Sequence, residues 1–241
     1  MKPLKVLITA GATEVPIDRV RAITNIFKGK TGTDIARAFA WHTTPNVYPV
    51  VTALRVTLLT SNPRLAETSM DGSDVAYGID ARFRVVPYRT FDELAALMER
   101  EITTGGYDIV VHSAAVSDYR MAGVHARGQD GQLVPLDASG KVGSFHERLF
   151  LELERTPKLI EQIRGAWGFT GKLIQFKLEV GIADEELIAK ARAAIDRSGG
   201  DFVVANCLEW AKDAAILVGR DGSVERVDRA KLSAALIRRL T

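Results

Sequence analysis

Short runs of apolar, often β-branched residues alternate along this chain with longer stretches in which apolar positions return every three or four residues. Val6-Leu7-Ile8 and residues 55–59, 84–86, 109–111, 173–176, 202–206 and 215–218 read as strands, several buried on both faces. Residues 150–154, Phe-Leu-Glu-Leu-Glu, alternate as a half-buried strand. Helical periodicity begins near Thr33 or Asp34, placing Ile35, Ala38 and Phe39 on one face. A second helix opens at a capping box formed by Thr90 and Glu93 and carries Leu94, Leu97, Met98 and Ile102. A third is predicted from Thr156 as N-cap and Pro157 as first residue. A fourth spans 184–197, with Asp184, Glu185 and Glu186 at its positive end and Gly199-Gly200 after it, and residues 229–240 form a closing helix. This order predicts an α/β fold: a doubly wound, mostly parallel, Rossmann-like sheet with helices on both faces.

Four stretches break the pattern. Residues 12–32 form a long connection between the first strand and its helix, a length usually tied to function. Residues 42–54 carry two prolines and no period, and 61–80 are polar, so both read as loops. Residues 121–147, rich in Gly, Asp, Ser and His, read as a mobile flap carrying Lys141. With no repeat or low-complexity tract, the 241 residues are expected to form a single domain with that flap.

Composition narrows the classes. Apolar residues make up 46% and charged residues 26%, as in ordinary globular proteins. A net charge of +2 argues against nucleic-acid binding driven by bulk charge. The one cysteine, Cys207, excludes an internal disulfide and a cysteine metal cluster, and reads as a buried small residue. No stretch approaches the length of a bilayer span, and no signal segment opens the chain, so a soluble, cytoplasmic protein is expected.

The chemistry gathers in residues 107–120, YDIVVHSAAVSDYR. A buried strand gives way to Ser113, Ala114 and Ala115, small enough for a ligand to reach the backbone, and then to Asp118 and Tyr119. Ligands of open α/β sheets sit at the carboxyl ends of strands, so this is a site candidate; an ordinary strand-to-helix turn would look similar. Two glycine motifs fail. Gly11 is followed by Ala12-Thr13-Glu14 rather than a dinucleotide fingerprint, and Gly29-Lys30-Thr31 lacks its upstream glycine, the position being Thr24. The loop still offers N–H groups, a lysine and a helix start to an anion, although Gly29 and Gly32 could merely punctuate a helix start. His112, at a strand end, reads as structural.

Five strings in order, ITAGATEVPIDRVRAITN with GKTG, AAVSDYR, TPKLI, FKLE and DFVVAN, resemble the phosphopantothenate–cysteine ligase (phosphopantothenoylcysteine synthetase) family, over residues 5–218. The layout resembles the stand-alone form, without the flavin-binding decarboxylase domain that many bacterial versions carry in front. The resemblance implies joining 4′-phosphopantothenate to cysteine through an acyl-nucleotide, with release of pyrophosphate, in coenzyme A synthesis. It implies ATP or CTP as co-substrate, Mg²⁺, and a homodimer. The FKLE strand end is closer to ATP-using members.

Carried over by resemblance, Asn25 contacts the acyl intermediate and Lys141 reaches in from the flap, the two catalytic candidates. Arg21, Ala114 and Ala115 line the substrate end. Gly11, Asp118, Pro157, Lys158, Leu159, Ile160 and Phe176 surround the nucleotide; metal ligands are not assigned. Two lysines of fused enzymes fall on Ala194 and Ser198, leaving Lys177, Lys190 or Arg197 to meet the triphosphate. Two rivals remain: a short-chain NAD(P)-dependent oxidoreductase, and a non-catalytic nucleotide-binding homologue. Against the first, no glycine fingerprint is present and Gly123, not lysine, stands four residues after Tyr119.

Overall fold

The computed structural model describes residues 3–40, 55–67 and 83–240. The expected loop at 42–54 and most of the 61–80 segment lie outside them. The chain runs β1 (Lys5–Ala10), β2 (Glu14–Pro16), β3 (Ala22–Thr24), α1 (Lys30–Ala40), β4 (Arg55–Thr60), α2 (Arg64–Glu67), β5 (Phe83–Pro87), α3 (Phe91–Gly105) and β6 (Ile109–His112). It continues through β7 (Tyr119–Arg127), β8 (Leu133–Pro135), β9 (Leu149–Arg155), α4 (Leu159–Arg164), β10 (Lys172–Glu179), α5 (Asp184–Ser198) and β11 (Phe202–Cys207). The end is β12 (Ala214–Gly219), β13 (Val224–Asp228), a 3₁₀ turn (Arg229–Lys231) and α6 (Leu232–Leu240).

Eight strands form one sheet in the order β13-β12-β11-β10-β6-β1-β4-β5. The pairings from β10–β11 through β4–β5 are parallel, and β12 and β13 add antiparallel. Apolar residues point both ways from the central strands. Val6, Ile8, Val111 and Ile174 pack with Ile35, Phe39 and Leu236 of α1 and α6. Leu7, Val110 and Leu173 pack with Leu94 and Met98 of α3 and Leu159 and Ile163 of α4, and α5 covers β11 and β12 on that side. The expected doubly wound sheet with helices on both faces is what forms. From β1 the chain winds outward through β4 and β5, then returns to β6 on the other side of β1. That reversal opens a crevice at the carboxyl ends of β1 and β6.

Several expectations need correction. The 121–147 flap contains structure: β7 pairs with β8 and β9 in a three-stranded antiparallel sheet. A register shift between Met121 and Gly123 breaks the period-two pattern, which is why the strand is hard to see in sequence. The helix at Thr156-Pro157 begins later, at Leu159, with Lys158 at the N-cap. Thr156 Oγ1 instead donates to the Ser117 carbonyl, 2.8 Å. α1 begins at Lys30, ahead of the expected Thr33. The Thr90–Glu93 capping box is present on α3, and Gly106 closes that helix at φ 62°.

Candidate functional site

The crevice walls are built by backbone pairing between the two strand ends. Ser113 N donates to Thr9 O (3.2 Å), Ala115 N to Gly11 O (2.8 Å), and Thr13 N to Ala115 O (3.2 Å). Gly11 holds φ 92°, and a Cβ there would lie 2.1 Å from Ser61 Oγ; that hydroxyl accepts from Ala12 N at 2.9 Å. Only glycine fits. Asn25, just past β3, donates its side-chain amide to Ala115 O at 3.2 Å. Gly11, Ala115 and Asn25 therefore form one hydrogen-bonded junction, as a shared site requires.

Beside this junction lies an open cleft lined by His112, Ala114, Val116, Ser117, Asp118, Pro157, Lys158, Leu159, Ile160, Gln175 and Phe176. Seven expected site residues meet here: Ala114, Asp118, Pro157, Lys158, Leu159, Ile160 and Phe176. The turn before α4 is tied to the exit of β6, with Thr156 N donating to Asp118 O at 2.9 Å and Lys158 Nζ donating to Asp118 Oδ1 at 2.5 Å. Both of those side chains are half-exposed, so the pair is open to exchange with a ligand's charges and adds little stability.

His112 and Gln175, with Val116 and Ser117, are lining residues that the sequence reading missed. Thr9, His112 and Gln175 stand in register across β1, β6 and β10. The available signal was a polar residue directly after an apolar run in each of three strands, Thr9 after Val6-Leu7-Ile8, His112 after Ile109-Val110-Val111 and Gln175 after Leu173-Ile174. His112 is buried, its Nδ1 lies 2.9 Å from Thr9 Oγ1, and burial pushes its pKa down to about 4. At neutral pH it is an uncharged imidazole.

Arg21 and Lys141 stand together away from the cleft walls. Asp18 is the hub. Its Oδ1 accepts from Val20 N and Arg21 N, each 2.8 Å, and its Oδ2 from Arg21 Nε (3.0 Å) and Val142 N (3.1 Å). Arg21 Nη2 also donates to Val142 O at 2.8 Å, and Arg19 N to Gly140 O at 3.1 Å. Residues 140–142 are thus docked on the turn after β2, with Lys141 exposed between the two anchor points. The Arg21 guanidinium, aided by these N–H donors, holds the Asp18 carboxyl well below the usual carboxylate range.

Ala194 and Ser198 face the sheet from α5 and are buried; Ser198 Oγ accepts from Gln175 Nε2 at 2.6 Å. A lysine at either position would bury its charge. Lys177 and Lys190 instead both reach Glu179 at the end of β10, at 2.9 and 3.1 Å, and they hold its carboxyl below the ordinary range, Lys177 foremost. Among the described residues no group of three or more His, Cys, Asp or Glu could hold a metal ion, and Asp118 is the one acid lining the cleft. A divalent cation entering this cleft would meet a single protein carboxylate, too few to hold it without a ligand of its own.

Residues 1–240 match the family described as DNA/pantothenate metabolism flavoprotein C-terminal domain. The chain is 34% identical over 224 residues to the coenzyme A biosynthesis bifunctional protein CoaBC of Thermococcus kodakarensis, covering 90% of this chain and 45% of that protein. It is 29% identical over 143 residues to phosphopantothenate–cysteine ligase 2 of Oryza sativa, covering 57% of this chain and 40% of that one. The chain spans less than half the length of these curated relatives. In fold it resembles the DNA/pantothenate metabolism flavoprotein of Streptococcus pneumoniae, with TM-score 0.75, 24% identity and coverage of 98% and 97% of the two chains. No helix among the described residues is long and apolar enough to cross a membrane.

Proposed function

Because the chain belongs to the DNA/pantothenate metabolism flavoprotein C-terminal domain family, we propose that it is a ligase that joins 4′-phosphopantothenate to cysteine at the expense of a nucleoside triphosphate. The observation that carries this reading is the convergence of Ala114, Asp118, residues 157–160 and Phe176 on one cleft, linked through Ala115 to the Asn25 amide. The nucleotide occupies the cleft, and the carboxylate lies at the Asn25 junction. A carboxylate oxygen attacks the α-phosphorus and pyrophosphate leaves. The cysteine amine then attacks the acyl carbon, loses a proton, and the nucleoside monophosphate leaves with one carboxylate oxygen.

The chain's residues do three things. Asn25 presents amide N–H groups beside the reacting carboxylate, where negative charge develops. Lys158, with Lys177 and Lys190 at the neighbouring strand end, supplies positive charge for the phosphates. Arg21 and Lys141, brought together by Asp18, bind the anionic end of phosphopantothenate and shelter the acyl-nucleotide from water. Mg²⁺ neutralises phosphate charge when it enters with the nucleotide. Apolar residues stay exposed on the β2–β3 hairpin (Val20, Ile23), just after it (Ile26), and on the β7–β9 sheet (Leu133, Val134, Leu153). A second copy covering them gives a homodimer. A cytoplasmic location fits these substrates.

The test is a mixture of the protein with 4′-phosphopantothenate, cysteine, Mg²⁺ and ATP or CTP. Pyrophosphate release that requires phosphopantothenate supports the proposal. No release with either nucleotide refutes it.

A further inference from the structure

Two groups on the cleft floor have no role in the ligation as described. His112 and Gln175 are cross-strand partners on β6 and β10, both nearly buried and both lining the cleft. The local hydrogen bonds fix what each presents.

Thr9 is wholly buried, and its hydroxyl oxygen accepts from Ala114 N at 3.1 Å. Its own proton then has one acceptor in reach, His112 Nδ1 at 2.9 Å. With Nδ1 accepting, the neutral ring carries its proton on Nε2. The opposite tautomer would leave the buried threonine proton without a partner. Thr9 is therefore a positioning residue for the imidazole. Gln175 is oriented just as firmly. Its Nε2 donates to the Ala194 carbonyl (3.1 Å) and to Ser198 Oγ (2.6 Å); a carbonyl can only accept, so the side-chain oxygen Oε1 points elsewhere. Among the described residues, the fully buried side-chain atoms without a partner are Thr33 Oγ1 and Arg37 Nε. His112 Nε2 and Gln175 Oε1, which also have no protein partner, must reach the open cleft.

We infer that His112 and Gln175 form a fixed donor–acceptor pair that reads the nucleobase, selecting the amino bases adenine and cytosine over the keto bases guanine and uracil. This rests on the cleft being the nucleotide site of the proposed ligase. Adenine and cytosine each place an exocyclic NH₂ donor next to a ring-nitrogen acceptor. The Nε2–H meets the ring nitrogen, and Oε1 accepts from the NH₂. On the matching edge, N1–H and O6 of guanine or N3–H and O4 of uracil invert the pattern, setting N–H against N–H and oxygen against oxygen, and such unmet buried groups carry specificity. A base fits this floor better than a phosphate. The imidazole is uncharged at neutral pH, and Ala114, Val116, Leu159, Ile160 and Phe176 supply apolar walls for a flat ring. Of the cationic groups, Lys158 is paired to Asp118 on the cleft wall, and Lys177 and Lys190 are paired to Glu179 at the end of β10.

The experiment is titration calorimetry of the full chain with Mg²⁺ and each of ATP, CTP, GTP and UTP, omitting phosphopantothenate and cysteine. ATP or CTP is expected to bind at least about tenfold more tightly than GTP and UTP. His112→Phe, which keeps an aromatic ring without a donor, should lose most of that advantage by weakening ATP and CTP alone. His112→Gln, whose amide nitrogen reaches the Nε2 position, should restore it. Equal binding of all four nucleotides by the wild type, or an unchanged preference in His112→Phe, overturns the inference. Should His112→Phe not fold, the wild-type histidine ¹⁵N shifts decide. A moved Nε2 resonance on adding ATP or CTP supports the reading, and an unmoved one sinks it. Ligation supported equally by all four nucleotides would defeat the base reading alone. Selective binding without any ligation would defeat the ligase proposal alone. No binding at millimolar concentration defeats both.

Discussion

Replacing Asn25 by Asp isolates the polar chemistry of the proposed acyl site at nearly constant volume. In the structure one N–H of the Asn25 amide is spent on Ala115 O at 3.2 Å, a carbonyl already accepting from Thr13 N at 3.2 Å. The second N–H is free to meet the reacting carboxylate. Aspartate removes both donors and sets a negative oxygen against the Ala115 carbonyl and the substrate's own charge. Loss of one such donor to a developing oxyanion costs about 2.7–4 kcal/mol. At 1.36 kcal/mol per decade, turnover should fall about 100- to 1,000-fold. The cleft proposed for the nucleotide, lined by other residues, should keep its affinity. Steady-state pyrophosphate release gives turnover, and calorimetry gives nucleotide affinity. Turnover within a factor of about two of wild type would remove Asn25 from the active site, because no transition-state donor costs so little.

Other outcomes follow from the same geometry. Gly29 holds φ 84°, and a Cβ there would lie 2.5 Å from Gly11 N, so Gly29→Ala should cost about 1–3 kcal/mol. That lowers the melting temperature by about 2–12 °C; no change would mean the loop does not pack on β1 as described. In hydrogen exchange, the β7 amides paired to β9 should be protected in the free protein. Residues 137–147 should slow further on adding phosphopantothenate and nucleotide without cysteine, and unchanged exchange under demonstrated binding would make that segment a passive loop. Arg21 keeps the Asp18 pKa below the ordinary carboxylate range, so its contribution is present above the unfolded pKa of about 3.9 and fades only as pH falls through the lower folded value. Exchange protection of the Val142 amide should therefore be as strong at pH 4.5 as at pH 7, and Asp18→Asn should weaken it at both. From the resemblance of Phe176-Lys177-Leu178-Glu179 to ATP-using members, rather than from geometry, ATP is expected to exceed CTP by about tenfold in kcat/KM; parity or a CTP advantage in side-by-side rates would overturn that expectation.

The central sheet was legible because its strands are buried on both faces, and continuous runs such as Ile109-Val110-Val111 leave little ambiguity. The capping box at Thr90 was legible because its hydrogen bonds are local. β7 was not, since the bulge between Met121 and Gly123 interrupts its alternation. β2 and β3, three residues each, are too short to show a period. β13 is an edge strand with mostly polar residues exposed. In the site, the Ala114–Asp118 and 157–160 strings could be read as motifs because each is contiguous. His112, Gln175 and Asp18 matter through partners 103, 23 and 124 residues away, a relation that only the folded sheet brings out. The Thr156 N-cap failed for a related reason. Its hydroxyl is taken by Ser117 O across the cleft, so tertiary pairing overrode a local signal.

The central claim is that a phosphopantothenate carboxylate oxygen attacks the α-phosphorus of a nucleotide held in the cleft, and it can be followed atom by atom. With ¹⁸O in both carboxylate positions of 4′-phosphopantothenate, the account predicts one label in the amide product and one in the released nucleoside monophosphate, detected by mass spectrometry or ³¹P shift. Label in inorganic phosphate, with nucleoside diphosphate as the other product, or amide formed with no label in the monophosphate, would contradict it.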